Sequence, residues 1–303
     1  MIIHLAEFEL YFEESGTGFP VVYVHGGFPS LAMTLRTQDL LEWTWELDVA
    51  ARFRFIWYDR RGCYRSSLPS DGFGLQKQAG DLKRLLDHLA VGEVQLVGSS
   101  AGGPIAVLFA SNCPDRVRSL VLVGTALHLF PLGDEPSDLI RQQLLVLDRD
   151  GPEFAFDARP AGVEVSFDPL WEREQAEASG TLDEFQRAQQ KLAMIAKQVP
   201  KQERIKWYVA ELNSIRAYVE ADLRVAARLV DAPTLVIHGG EDKVVPLEWA
   251  KELANTIPGS TLHVVEGGGH GLMSRDPSVR AAAIDFFAAH AEDSPGHENI
   301  GRR

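Results

Sequence analysis

Val94-Gln95-Leu96-Val97-Gly98-Ser99-Ser100-Ala101-Gly102-Gly103-Pro104-Ile105-Ala106-Val107-Leu108-Phe109-Ala110 runs from an apolar strand through a tight turn into an apolar helix. Val94 to Val97 reads as a buried strand, and Pro104 to Ala110 has helical character. Strand, turn and helix in that order give Gly98-x-Ser100-x-Gly102 the setting of a nucleophile elbow. Such a turn is strained, lifts the serine hydroxyl above the sheet, and needs flanking glycines so that backbones can pass closely. Centring the pattern on Ser99 would put Val97 and Ala101 where the glycines belong, so Ser100 is the candidate nucleophile.

The same alternation extends outward from this unit. Glu7 to Glu14 alternates polar and apolar residues as an edge strand does, and Ser15-Gly16-Thr17-Gly18 turns the chain. Pro20 to Val24, Arg54 to Tyr58 and Val117 to Val123 read as further strands. Gln76 to Leu89 places Leu82, Leu85, Leu86 and Leu89 on one helical face. From about Leu127 to Arg224 the alternation stops, and amphipathic helices such as Leu182 to Lys197 and Gln202 to Val219 take over. It resumes with the strand Thr234 to Ile237, a helix around Leu247 to Ala254, a buried strand Thr261 to Val265 and a last helix from Pro277 to Ala289. The expected organisation is α/β: a mostly parallel sheet with helices on both faces, built from residues 1–126 and 225–291. Residues 127–224 form an inserted helical cap, and the polar tail 292–303 is expected to be disordered.

A chain of 303 residues with 45% hydrophobic and 24% charged residues can bury a large core without metal or disulfides. Its net charge of −13 and lack of basic runs exclude nucleic acid as the expected partner. Cys63 and Cys113 lie in unlike settings, and no Cys/His cluster has metal-ligand spacing, so no disulfide, metal or cofactor is expected. The N-terminus lacks the basic and apolar regions of a secretory signal, and no apolar run reaches membrane-spanning length. A small-molecule substrate and a cytoplasmic address are therefore expected; the sequence does not disclose the oligomeric state.

A serine alcohol is a weak nucleophile at neutral pH and needs an adjacent base. Of nine histidines, His270 stands in Glu266-Gly267-Gly268-Gly269-His270-Gly271, directly after a strand, where an open α/β sheet places its site. His4, His88, His128, His290 and His297 lack such a glycine loop, and His263 lies within a strand. The base needs a carboxylate to hold its tautomer, and Asp242 follows Thr234 to Ile237 in a loop running from Gly239 to Pro246. Asp134, in the polar hinge into the cap, is the competing acid. His25-Gly26-Gly27-Phe28-Pro29 follows another strand and can bring the N–H of Gly27 or Phe28 beside that of Ala101 as an oxyanion hole. His25 is read as orienting that loop.

Together these residues resemble the α/β-hydrolase superfamily over residues 7–291, and within it the capped branch of esterases, proline iminopeptidases, carbon–carbon bond hydrolases and dehalogenases. The order Ser100, Asp242, His270 is the order that superfamily uses. The resemblance implies a metal-free serine hydrolase, a carboxylesterase by first choice, cleaving an ester or related acyl bond through an acyl-enzyme. The rivals it leaves open are an iminopeptidase or other amidase, a carbon–carbon bond hydrolase, a lactonase, and a ligand-binding receptor on the same fold. An Asp nucleophile, which dehalogenases carry, is replaced by Ser100 here. Relatives often read Asp-x-Arg-Gly-x-Gly-x-Ser where this chain has Asp59-Arg60-Arg61-Gly62-Cys63-Tyr64-Arg65-Ser66, with Tyr64 in place of a glycine. An iminopeptidase needs cap carboxylates for its substrate's amine, for which Glu172 and Glu211 are the candidates. Trp171, Trp207 and Phe130 are the first choices for lining the substrate pocket, with Phe154, Phe156, Met194 and Tyr208 behind them.

Overall fold

The computed structural model describes residues 1–35, 48–131, 133–163, 165–272 and 276–291; the tail 292–303 lies outside them. Eight strands form one sheet: β1 Ile2–His4, β2 Glu9–Ser15, β3 Pro20–Val24, β4 Arg54–Tyr58, β5 Val94–Ser99, β6 Val117–Val123, β7 Thr234–Gly239 and β8 Thr261–Val265. Their spatial order is β1-β2-β4-β3-β5-β6-β7-β8. The pairs β1·β2 and β2·β4 are antiparallel, and all others are parallel.

Period-two alternation builds a core on each face of this sheet. Val22, Val24, Leu96, Leu120 and Leu122 point to one face, where α2 (Leu75–His88) and α3 (Gly102–Asn112) cover them. Val21, Tyr23, Val97, Val121 and Val123 point to the other, beneath α11 (Pro277–Ala291). Helix α2 earns its place by spacing, since Leu75, Ala79, Leu82, Leu85 and Leu86 fall on its buried side. Helix α3 is buried from Gly102 to Ala110, as its continuous apolar run requires.

Two expectations about the sheet edges need correction. β1 is a strand that the sequence does not announce, and β2 begins at Glu9 rather than Glu7. The strand before His270, expected to be buried, is instead the last edge strand, with Thr261, His263 and Val264 exposed. An apolar run signals a strand, but the number of neighbours that strand will have is set by topology.

Between β6 and Glu220 the chain forms five helices among the described residues: α4 Glu135–Asp150, α5 Pro152–Asp157, α6 Pro169–Ala178, α7 Leu182–Ala196 and α8 Lys201–Val219. Helix α8 packs on α4 and α5 and buries Ile205, Tyr208, Leu212 and Ile215. Short helices α1 (Leu31–Leu35) and α9 (Arg224–Arg228), with α10 (Leu247–Thr256), complete the layers. Among the described residues no helix is long and apolar enough to cross a membrane.

Candidate active site

The chain leaves β3 toward β4 on one side of the sheet and later returns to place β5 on the other. That reversal opens a crevice at the carboxyl ends of β3 and β5, where an open parallel sheet binds its ligands. The loop after β3 carries His25-Gly26-Gly27-Phe28, and the turn after β5 carries Ser100.

Ser100 has φ +48, a left-handed conformation that costs a non-glycine residue about 1–2 kcal/mol. The surroundings hold it there: its N–H donates to Val123 O at 2.9 Å, and its carbonyl accepts from Gly103 N at 2.9 Å and Thr125 Oγ1 at 2.8 Å. The glycines are needed for close approach. A Cβ on Gly102 would stand 2.1 Å from Val24 O, and one on Gly98 2.7 Å from Ala106 Cβ.

Ser100, His270 and Asp242 form one hydrogen-bonded chain. His270 Nε2 lies 3.0 Å from Ser100 Oγ, and His270 Nδ1 lies 2.8 Å from Asp242 Oδ2. The Asp242 side chain is fully buried, and its Oδ1 accepts from Val244 N at 2.9 Å and Val245 N at 2.8 Å. Those two backbone donors hold one carboxylate oxygen in place and leave the other facing His270. Asp134, the competing acid, is elsewhere engaged: it caps α4 by accepting from Ser137 N at 3.1 Å and from the Ser137 hydroxyl.

The glycine loop after β3 lies against the serine, since a Cβ on Gly26 would be 2.7 Å from Ser100 Cβ. Among the described residues the N–H groups of Gly27, Phe28 and Ala101 donate to no protein acceptor. Ala101 also caps the N-terminus of α3, whose dipole adds positive potential there. His25 is buried, with Nδ1 donating to Gly26 O at 2.7 Å while Nε2 accepts from Arg60 N at 3.0 Å. Burial, then the nearby Arg60 charge, hold its pKa well below the imidazole range, so it is a neutral brace for the loop. Tyr64 adopts φ +46, a conformation that glycine takes up without steric cost; its ring packs edge-on against His25 at 5.1 Å.

Ser100 opens into a cavity of about 120 Å³ whose walls include Phe28, Leu129, Phe130, Leu170, Trp171 and Trp249. Phe28 is the hub of its aromatic wall, with ring centroids 5.7 Å from Phe130 and 6.3 Å from Trp171. Trp207 is not part of it. That side chain packs in a separate cluster with Leu31, Ala32, Leu192 and Ala196, because its face of α8 turns toward α1 and α7. Phe154 and Met194 are exposed, and Phe156 and Tyr208 pack within the helical insertion. Glu211 is buried in the same interior, where its Oε1 accepts from Ser166 Oγ and Phe167 N, both at 2.9 Å. Burial and the nearby Asp168 charge push its pKa well above the carboxylate range.

Three residues to which the sequence assigned no role also meet the site. Gln175 Oε1 accepts from His270 N and Lys243 N, Arg60 braces the glycine loop, and Tyr218 Oη donates to Ala101 O at 2.7 Å. Such contacts join residues far apart in the chain and leave no local pattern. Among the described residues no group of three or more His, Cys, Asp or Glu side chains has metal-binding geometry.

Comparison with known proteins agrees with this architecture. The chain is 30% identical over 273 residues to a non-heme chloroperoxidase of Kitasatospora aureofaciens, covering 87% of this chain and 89% of that protein. It is 31% identical over 289 residues to the 2-hydroxymuconate semialdehyde hydrolase of a Pseudomonas species, covering 92% and 90%. The solved enol-lactonase of Burkholderia xenovorans shares the fold with a TM-score of 0.66 at 22% identity, over 95% of this chain and 100% of that one. The family model described as alpha/beta hydrolase fold matches residues 20–277, from the first residue of β3 to the first of α11. The chain belongs to the alpha/beta hydrolase fold family.

Proposed function

We propose that the protein is a serine hydrolase that cleaves a carboxylic ester or related acyl bond through an acyl-enzyme, with Ser100, His270 and Asp242 as its catalytic triad. The observation that carries this reading is the hydrogen-bonded chain from Ser100 Oγ through both nitrogens of His270 to Asp242, at 3.0 and 2.8 Å. His270 Nε2 takes the Ser100 proton as Oγ attacks the acyl carbonyl, and Asp242 stabilises the imidazolium through Nδ1–H. The alkoxide of the tetrahedral intermediate is held by Ala101 N–H together with an N–H of Gly27 or Phe28. His270 then protonates the leaving alcohol, and water attacks the acyl-enzyme by the reverse proton path.

Residues 127–224 act as a cap over this chemistry, with Phe130 and Trp171 selecting the substrate. A cavity of about 120 Å³, somewhat smaller than the roughly 150 Å³ that accommodates a benzene ring, suits a compact acyl or alcohol group. Glu211, one of the carboxylates an iminopeptidase would call on, is occupied inside the insertion and does not line the cavity. A carbon–carbon bond hydrolase stands as the second reading, on the 31% identity to 2-hydroxymuconate semialdehyde hydrolase.

Rapid-quench mass spectrometry with 4-nitrophenyl acetate and benzoate tests the first reading. An acyl adduct on the peptide bearing Ser100, formed with a burst of nitrophenol, is the expected result. Absence of any adduct on these esters, alongside turnover of a vinylogous 1,5-diketone, would move the assignment to carbon–carbon cleavage.

A further inference from the structure

Arg60 and Arg61 are adjacent buried guanidinium groups with opposite electrostatic fates. Arg61 is neutralised by Asp81, Nε to Oδ2 at 2.7 Å and Nη2 to Oδ1 at 2.8 Å. Arg60, only 2% exposed, meets no carboxylate among the described residues; all its partners are neutral. An uncompensated buried charge is unfavourable for folding, and a purely structural brace is better served by the paired arrangement at Arg61.

The partners of Arg60 converge on the two backbone segments that present N–H groups beside Ser100. Nη2 donates to Gly27 O and, at 3.3 Å, to Gly26 O. Nη1 donates to Gln78 Oε1 at 3.0 Å and to Tyr218 Oη at 3.1 Å, and Tyr218 in turn donates to Ala101 O at 2.7 Å. One guanidinium thus spans the loop after β3 and the first turn of α3. In a trans peptide the N–H points away from the C=O. A cation bound at Gly26 O and Gly27 O therefore fixes and polarises the peptide units whose N–H groups belong to Gly27 and Phe28.

We propose that Arg60 is a positioning residue of the oxyanion hole: its unneutralised charge locks both arms and raises the positive potential where the substrate oxyanion develops. The inference rests on Ser100 being the nucleophile. Because that charge is buried, it acts in a weakly screened environment, and its benefit appears mainly in the transition state. Ground-state substrate carries no anion at that position, so binding should respond much less than turnover.

The test compares Arg60→Met, Arg60→Lys and Tyr218→Phe for ester kcat and KM and for inhibition by an aryl trifluoromethyl ketone. In the inhibitor adduct Ser100 Oγ bonds to the carbonyl carbon, the serine proton passes to His270, and the hemiketal alkoxide occupies the oxyanion position. Arg60→Met should lower kcat and ketone affinity together by about 100-fold, with KM within about threefold. Arg60→Lys, which keeps the charge, should recover about tenfold of that loss, and Tyr218→Phe, which cuts the arm to Ala101, should lose about tenfold. A folded Arg60→Met with wild-type kcat and ketone affinity overturns the proposal, as does an Arg60→Lys equally impaired. If Arg60→Met shows no cooperative melting, Tyr218→Phe decides: a tenfold loss of ketone affinity supports the proposal and an unchanged affinity overturns it. Failure of the underlying assignment is separately visible, because Ser100→Ala would then retain turnover and the wild-type protein would form no ketone adduct.

Discussion

The backbone N–H of His270 donates at 3.1 Å to Oε1 of Gln175, a residue of α6 in the helical insertion. The same oxygen accepts from Lys243 N at 3.0 Å, so one side-chain atom ties the insertion to the loops bearing His270 and Asp242. Gln175→Leu removes this acceptor while keeping the helix. Turnover should fall about tenfold with KM within about threefold, because the imidazole loses its fixed approach to Ser100. Steady-state kinetics beside thermal melting checks this. A rise in KM alone would reduce Gln175 to a substrate contact.

Asp242 and Asp134 can be separated by replacing each with Asn. Asp242→Asn favours the wrong imidazole tautomer, and a loss of about 10⁴-fold in kcat is expected, as in a serine protease. Asn is an N-cap as good as Asp, so Asp134→Asn should preserve α4 and leave kcat within about tenfold of wild type. The reverse ranking would transfer the acid to the segment after β6.

Trp171 and Trp207 occupy different environments, and their truncation should show it. Trp171→Ala opens the aromatic wall of the Ser100 cavity and should reorder a series of acetate, butyrate and benzoate esters by about tenfold or more. Trp207→Ala should leave that ranking intact and lower stability by about 2–4 kcal/mol, less than full burial would give because Trp207 is only partly buried. Equal effects on every ester from Trp171→Ala would remove it from substrate selection.

Glu211 makes a prediction in pH. Burial raises its carboxyl pKa in the folded state above the ordinary value of 4.5, so the folded protein keeps this proton to higher pH than the unfolded chain does. Its contribution to stability is therefore full below pH about 4.5 and is lost as pH rises through the folded value. Glu211→Gln stays neutral and can still accept from Ser166 and Phe167. The variant should melt above wild type at pH 8–9, with the difference closing toward pH 4. A constant offset across that range would show that Glu211 is not neutralised by burial.

The strand-end loops bearing Ser100, Asp242 and His270 were legible because each follows an apolar run whose period marks the sheet. Gly98 and Gly102 flank Ser100 because an added Cβ has no room there, standing 2.1 Å from Val24 O at Gly102, a demand that leaves its mark in the sequence. Edge strands were harder. Ile2–His4 is too short to show alternation, and Thr261–Val265 has a strand pattern without the burial that usually accompanies it. Trp207 could not be told from Trp171 because an apolar side chain on an amphipathic helix looks alike whether it meets a cavity or a satellite core. Arg60, Gln175 and Tyr218 were hidden for another reason: the bond from Arg60 to Tyr218 joins positions 158 residues apart.

Labelling with a fluorophosphonate tests the central claim most directly. The reagent's phosphorus is attacked by an activated serine with loss of fluoride, and peptide mapping then locates the adduct. Wild-type protein should carry one adduct on Ser100, and Ser100→Ala should lose both labelling and ester turnover while its melting transition remains cooperative. Labelling that persists at another serine in Ser100→Ala, with turnover retained, would contradict the account.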